Sequence, residues 1–85
     1  MKSIEEDVIK IVGDYLGIPV FRLSLDTNMT EGLKTHPVDI RELIITVEEQ
    51  FGIKIPNHEI AQIKRIQDII KAVEKVLEEL KEKKN

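Results

Sequence analysis

Residues 37–56 read PVDIRELIITVEEQFGIKIP, and they hold the clearest structural pattern in the chain. Pro37 suits the first turn of a helix, where its missing N–H would have had no partner. At about 100° per residue, Ile40, Leu43, Ile44, Val47 and Phe51 share one sector, the buried stripe of an amphipathic helix. Gly52 ends that helix, Ile53 and Ile55 turn back toward the core, and Pro56 breaks the chain. On the opposite sector Val38 and Ile45 lie close in angle, ringed by Arg41, Glu42, Glu48 and Glu49. An apolar pair inside a charged rim has the pattern of a small docking surface, although single exposed apolar residues are ordinary on any protein.

Upstream, Ser3 and Glu6 have capping-box spacing, in which hydroxyl and carboxylate each accept from an amide at a helix start. Ile4, Val8, Ile11, Val12 and Tyr15 then form a stripe that Gly17 and Pro19 close, predicting a helix over 4–16. From Gly17 to His36 there is no sustained periodicity. So long a loop needs anchors, and Val20, Phe21, Leu23, Leu25, Met29 and Leu33 are the candidates. A short helical turn is expected near Phe21, and Asp26, Thr27 and Asn28 supply turn chemistry. Downstream, a short helix is expected within 57–63. Ile66, Ile69, Ile70, Val73, Val76, Leu77 and Leu80 then mark a final helix whose start lacks a capping side chain and whose tail, 81–85, frays.

The 85 residues therefore form one all-α domain spanning 1–85, with three main helices, one short helix and a long loop between helices one and two. Sixteen acidic against thirteen basic side chains give a charge of −3, which disfavours a nucleic-acid partner and favours proteins with basic patches. No cysteine is present, so there is neither a disulfide nor a thiol nucleophile. No apolar run reaches the roughly 20 residues that span a bilayer, and residues 1–7 are too acidic to begin a signal peptide, so a cytoplasmic monomer with no membrane role is expected. His36 and His58 stand outside any metal-ligand spacing, and no glycine-rich phosphate loop or Ser, His and acid set occurs. The acid pairs Glu5–Glu6, Glu48–Glu49 and Glu78–Glu79 are expected to face solvent rather than do acid–base work. No catalytic residue and no metal site is expected.

The run LKTHPVDIRELI followed by VEEQFGIKIP, with IQDIIKAVEKVL behind it, resembles the acyl carrier proteins over nearly the whole chain. The resemblance implies an up-and-down bundle whose second helix meets basic patches on synthases and transferases. It maps Asp39, Glu42, Glu48 and Glu49 onto the acidic recognition positions and Ile45 onto the exposed apolar one. Arg41 adds a positive charge there. The family carries Asp-Ser-Leu at the start of helix two, with phosphopantetheine esterified to the serine; the aligned triplet here is His36-Pro37-Val38. Proline has no hydroxyl, and Lys34 and His36 replace the preceding Gly and Asp. Thr35 is the nearest hydroxyl, two positions away, where it could equally cap the helix.

These observations predict a non-catalytic docking or regulatory module without a prosthetic group, tied to acyl or peptide assembly enzymes, with Val38, Asp39, Arg41, Glu42, Ile45, Glu48 and Glu49 as its partner-binding residues. The alternatives are a carrier modified at an unexpected site, Thr35 being the candidate, and a noncovalent fatty-acid binder.

Overall fold

Ser3 starts the first helix as predicted. Its hydroxyl oxygen accepts from the Glu6 amide at 3.1 Å, and the hydroxyl lies 3.3 Å from the Glu6 carboxylate, so the acid meets the side chain of Ser3 rather than its amide. A computed structural model describes residues 3–83. Along it run α1 (Ile4–Leu16), a 3-10 turn (Val20–Arg22), α2 (Pro37–Phe51), α3 (Asn57–Ile60) and α4 (Ile66–Lys83). α1 and α2 both end on a glycine in the left-handed region, Gly17 at φ 70° and Gly52 at φ 65°, which a side chain would strain.

α1 packs against both α4 and α2. Val8 and Val12 of α1, Leu43, Ile44 and Val47 of α2, and Ile66, Ile69 and Val73 of α4 are fully buried in one shared core. Each such aliphatic side chain contributes about 1.5–3 kcal/mol on burial, which compensates for the scarcity of rings. The predicted stripes hold except at their edges: Tyr15 and Leu80 are exposed.

The long loop is held differently from the expectation. Of six candidate anchors only Leu23 and Met29 are buried, while Val20, Phe21, Leu25 and Leu33 are exposed, Phe21 at 86%. Backbone hydrogen bonds replace the missing apolar contacts. The Met29 amide donates to the Lys64 carbonyl (2.7 Å), the Ile66 amide to Thr27 (3.1 Å) and the Gln67 amide to Leu25 (3.0 Å), with a bridge pairing Asn28 and Arg65. The Arg65 guanidinium donates to the Asp26 carbonyl at 2.8 Å. Within the loop, Thr27 Oγ1 accepts from the Ser24 amide and Asn28 Oδ1 from the Glu31 amide, both at 2.8 Å, the expected turn chemistry.

These bonds correct the expectation of an uncapped α4. Its first amides are met by loop carbonyls, and Asp68, in the first turn of the helix, accepts from the Lys64 and Arg65 amides at 3.0 and 2.9 Å. The predicted frayed tail also shortens, since Lys81 and Glu82 continue the helix and α4 runs to Lys83; residues 84–85 lie outside the described residues.

Candidate functional site

The start of α2 is built by His36, Pro37 and the loop that delivers them. His36 is the N-cap, its Nδ1 accepting from the Val38 amide at 3.2 Å, so His36 rather than Thr35 fills the capping role. Thr35 is half-buried, with its amide donating to the Met29 carbonyl at 2.8 Å. Beside it Lys34 takes φ 53°, the only non-glycine residue in the left-handed region among those described. A side chain there costs roughly 1–2 kcal/mol, part of which glycine would return as lost chain entropy. Lys34→Gly is therefore expected to raise stability by about 0.5–1 kcal/mol, measured as a higher urea midpoint with an unchanged slope.

On the outer face of α2, Val38 (58% exposed) and Ile45 (47%) stand free of the core. Arg41 and Glu42, adjacent in sequence and about 100° apart in angle, fall on opposite flanks. Glu42 faces α1, where it accepts from the Tyr15 hydroxyl at 2.9 Å. Asp39 also acts on Tyr15 through its charge, so both acids lie on this flank. Arg41 faces α3 and lines a cleft of about 140 Å3 together with Ile44, Ile45, Glu48, Lys54 and Ile60.

Glu48 does not belong to the exposed rim, and the sequence expectation is corrected here. It is only 8% exposed, and its Oε2 accepts from the buried Ile55 amide at 2.7 Å. The carboxylate thereby ties the end of α2 to the chain that leads into α3. Glu49, one residue on, is exposed. The structure thus brings Val38, Asp39, Arg41, Glu42, Ile45 and Glu49 to the surface of one helix and withdraws Glu48. It also adds Tyr15 and Lys54, which the sequence reading left out of the site. Tyr15 sat within an apolar stripe, and Lys54, between two inward isoleucines, carried no periodic signal.

The Tyr15 phenol is raised above its usual value of about 10, first by its hydrogen bond to Glu42 and then by desolvation and by the Glu42 and Asp39 charges. The bond's contribution to folding is complete below the unfolded pKa and is lost as pH rises through the higher folded one. Ultraviolet titration of the phenol should give a midpoint above about 10, returning toward that value in Glu42→Ala. An equal midpoint in both proteins would show that Glu42 does not hold the phenol in solution.

Helix order, strapped loop and exposed α2 face define the class, an all-α bundle of the carrier type. A family model described as a phosphopantetheine attachment site matches residues 6–73. The chain is 34% identical over 73 residues to the acyl carrier protein of Solidesulfovibrio magneticus, covering 86% of this chain and 94% of that one. It is 33% identical over 72 residues to the acyl carrier protein of Chlamydia trachomatis serovar L2, covering 85% and 94%. With that of Nitratidesulfovibrio vulgaris it shares 35% over 68 residues, covering 80% and 90%. The chain belongs to the acyl carrier protein family.

The family's prosthetic group is phosphopantetheine, and the donor set at the start of α2 does not fit it. A phosphodiester needs a hydroxyl oxygen, and the first turn, Pro37 to Ile40, carries none. The only hydroxyl on α2, that of Thr46, donates to the Glu42 carbonyl at 3.1 Å.

Proposed function

We propose that this chain is an acyl-carrier-fold protein that carries no acyl group, and that it acts as a non-catalytic docking or regulatory module through the outer face of α2. Its partners on this reading are synthases or transferases of acyl or peptidyl assembly, the kind of enzyme that carrier proteins meet. The observation that carries the proposal is Pro37 as the first residue of α2, a position that the resemblance aligns with the family's attachment serine. The exposure of Val38 and Ile45 supports the docking half, because an apolar pair stands free of the core on the outer face of this helix. Thr35 is a poor substitute, being half-buried and placed before the cap rather than on the helix.

Two measurements test the halves separately. Intact mass after incubation with a phosphopantetheinyl transferase and coenzyme A should be unchanged; a covalent addition overturns the non-carrying half and directs the search to Thr35. Capture of host synthases and transferases by the wild-type chain should fall about tenfold or more for Val38→Asp and Ile45→Asp, since a charge in the centre of a contact is left desolvated and unpaired. Equal capture by both variants removes α2 from the docking role.

A further inference from the structure

Pro37 has no amide hydrogen, so the first amide of α2 is that of Val38, and its acceptor is His36 Nδ1 at 3.2 Å. A ring nitrogen that accepts carries no proton, so the capping ring is a neutral imidazole with its hydrogen on Nε2. Residues 36–39 are all exposed, and Ile40 is the first side chain of the helix to reach the core. Upstream the chain is held at Thr35, whose amide donates to the Met29 carbonyl, and downstream the Ile40 amide donates to the His36 carbonyl at 3.0 Å. Between these points the turn has no buried side chain, and the Nδ1 bond closes it.

The geometry points to His36 as a pH-sensitive cap: a proton on Nδ1 turns the acceptor into a donor, breaks the bond to the Val38 amide and loosens the first turn of α2. Imidazole is the side chain that changes charge between about pH 5 and 8, so the turn is closed at the upper end of that range and loosens as pH falls. The charges around the turn leave that sign in place. The helix start is the positive end of its dipole and opposes an imidazolium, as do Lys34 on the loop and Arg41 further along the helix. Asp39 is the acid of the first turn and favours the cation, yet a protonated Nδ1 still cannot accept. Toward α1, Glu42 is bonded to the Tyr15 hydroxyl. Toward α3, the cleft beside Pro37 is lined by Thr30, Ile40, Arg41, Ile60, Ala61 and Ile63, of which Arg41 alone is charged. Val38 heads the exposed apolar pair, so acid loosens the face proposed above for docking; the cap itself stands whether or not that face docks.

The test compares the full chain with His36→Asn, whose side-chain oxygen can cap the helix and does not titrate. His58 and the carboxylates are common to both proteins, so their titration cancels in the difference. From about pH 8 to about pH 5, the melting midpoint of the wild-type chain should fall relative to that of His36→Asn by about 4 °C or more. Over the same range the Val38 amide resonance in heteronuclear NMR should move in the wild-type chain and hold still in the variant. A midpoint difference that stays constant to within about 1 °C, or a Val38 amide that moves equally in both proteins, overturns the inference. Neither readout involves a partner or a prosthetic group, so failure here leaves the docking and non-carrying readings untouched, and their failure leaves the cap in place.

Discussion

Met29→Ala is expected to destabilise the protein by about 2–5 kcal/mol, the cost of truncating a fully buried side chain whose surroundings relax only in part. Met29 has no solvent exposure, and its amide and carbonyl both carry loop bonds, to Lys64 and from Thr35. Losing its side chain removes the deeper of the two apolar anchors of the long loop. At about 4–8 °C per kcal/mol for a domain of this size, the melting midpoint should fall by roughly 10 °C or more. Phe21→Ala is the comparison, since Phe21 is the larger residue in the same loop. At 86% exposure it should change stability by no more than about 0.5 kcal/mol. Similar losses for the two would mean that Phe21 is covered in solution.

Glu48→Leu should cost about 1–3 kcal/mol, because it leaves the buried Ile55 amide without an acceptor. Leucine fills the space and separates this effect from a simple cavity. Glu48→Gln keeps an acceptor oxygen and should recover part of the loss. Glu49→Leu, on the exposed neighbour, should stay within about 0.5 kcal/mol. Urea denaturation of the three variants decides the matter: an equal effect at 48 and 49 would place both acids in solvent and contradict the buried bond. The predicted loss also separates folding from docking, since a Glu48 variant that binds poorly does so through a loosened link between α2 and α3.

The main helices could be predicted from residue order alone because their burial is periodic. Val8 and Val12, or Ile66, Ile69 and Val73, recur at the helical repeat, and every neighbour on the chain reinforces the pattern. Glu48 escaped that logic. It lies at the border between the two sectors of α2, and what buries its carboxylate is an amide seven residues away, which a helical wheel does not contain. The loop anchors were misjudged for a related reason. Hydrophobicity made Val20, Phe21, Leu25 and Leu33 plausible, but backbone bonds to the start of α4 hold the loop, and backbone donors look the same at every residue. The apparent lack of a cap on α4 was the other half of the same omission. In the site itself, Val38 and Ile45 were visible as an angular pair. Its neighbours Tyr15, from α1, and Lys54, from the α2–α3 link, reach α2 only in three dimensions.

The strap between residues 25–29 and 64–67 has a consequence for how this molecule can open. Helix ends commonly loosen by themselves, at little free-energy cost. Here the leading amides of α4 and the carbonyls of the loop satisfy one another, so neither can detach without exposing the other. Loop and helix start therefore form a single cooperative unit linking distant parts of the chain. The loop is thus a structural brace for the bundle rather than an independent flap, and disturbances in its strapped segment should be felt at α4.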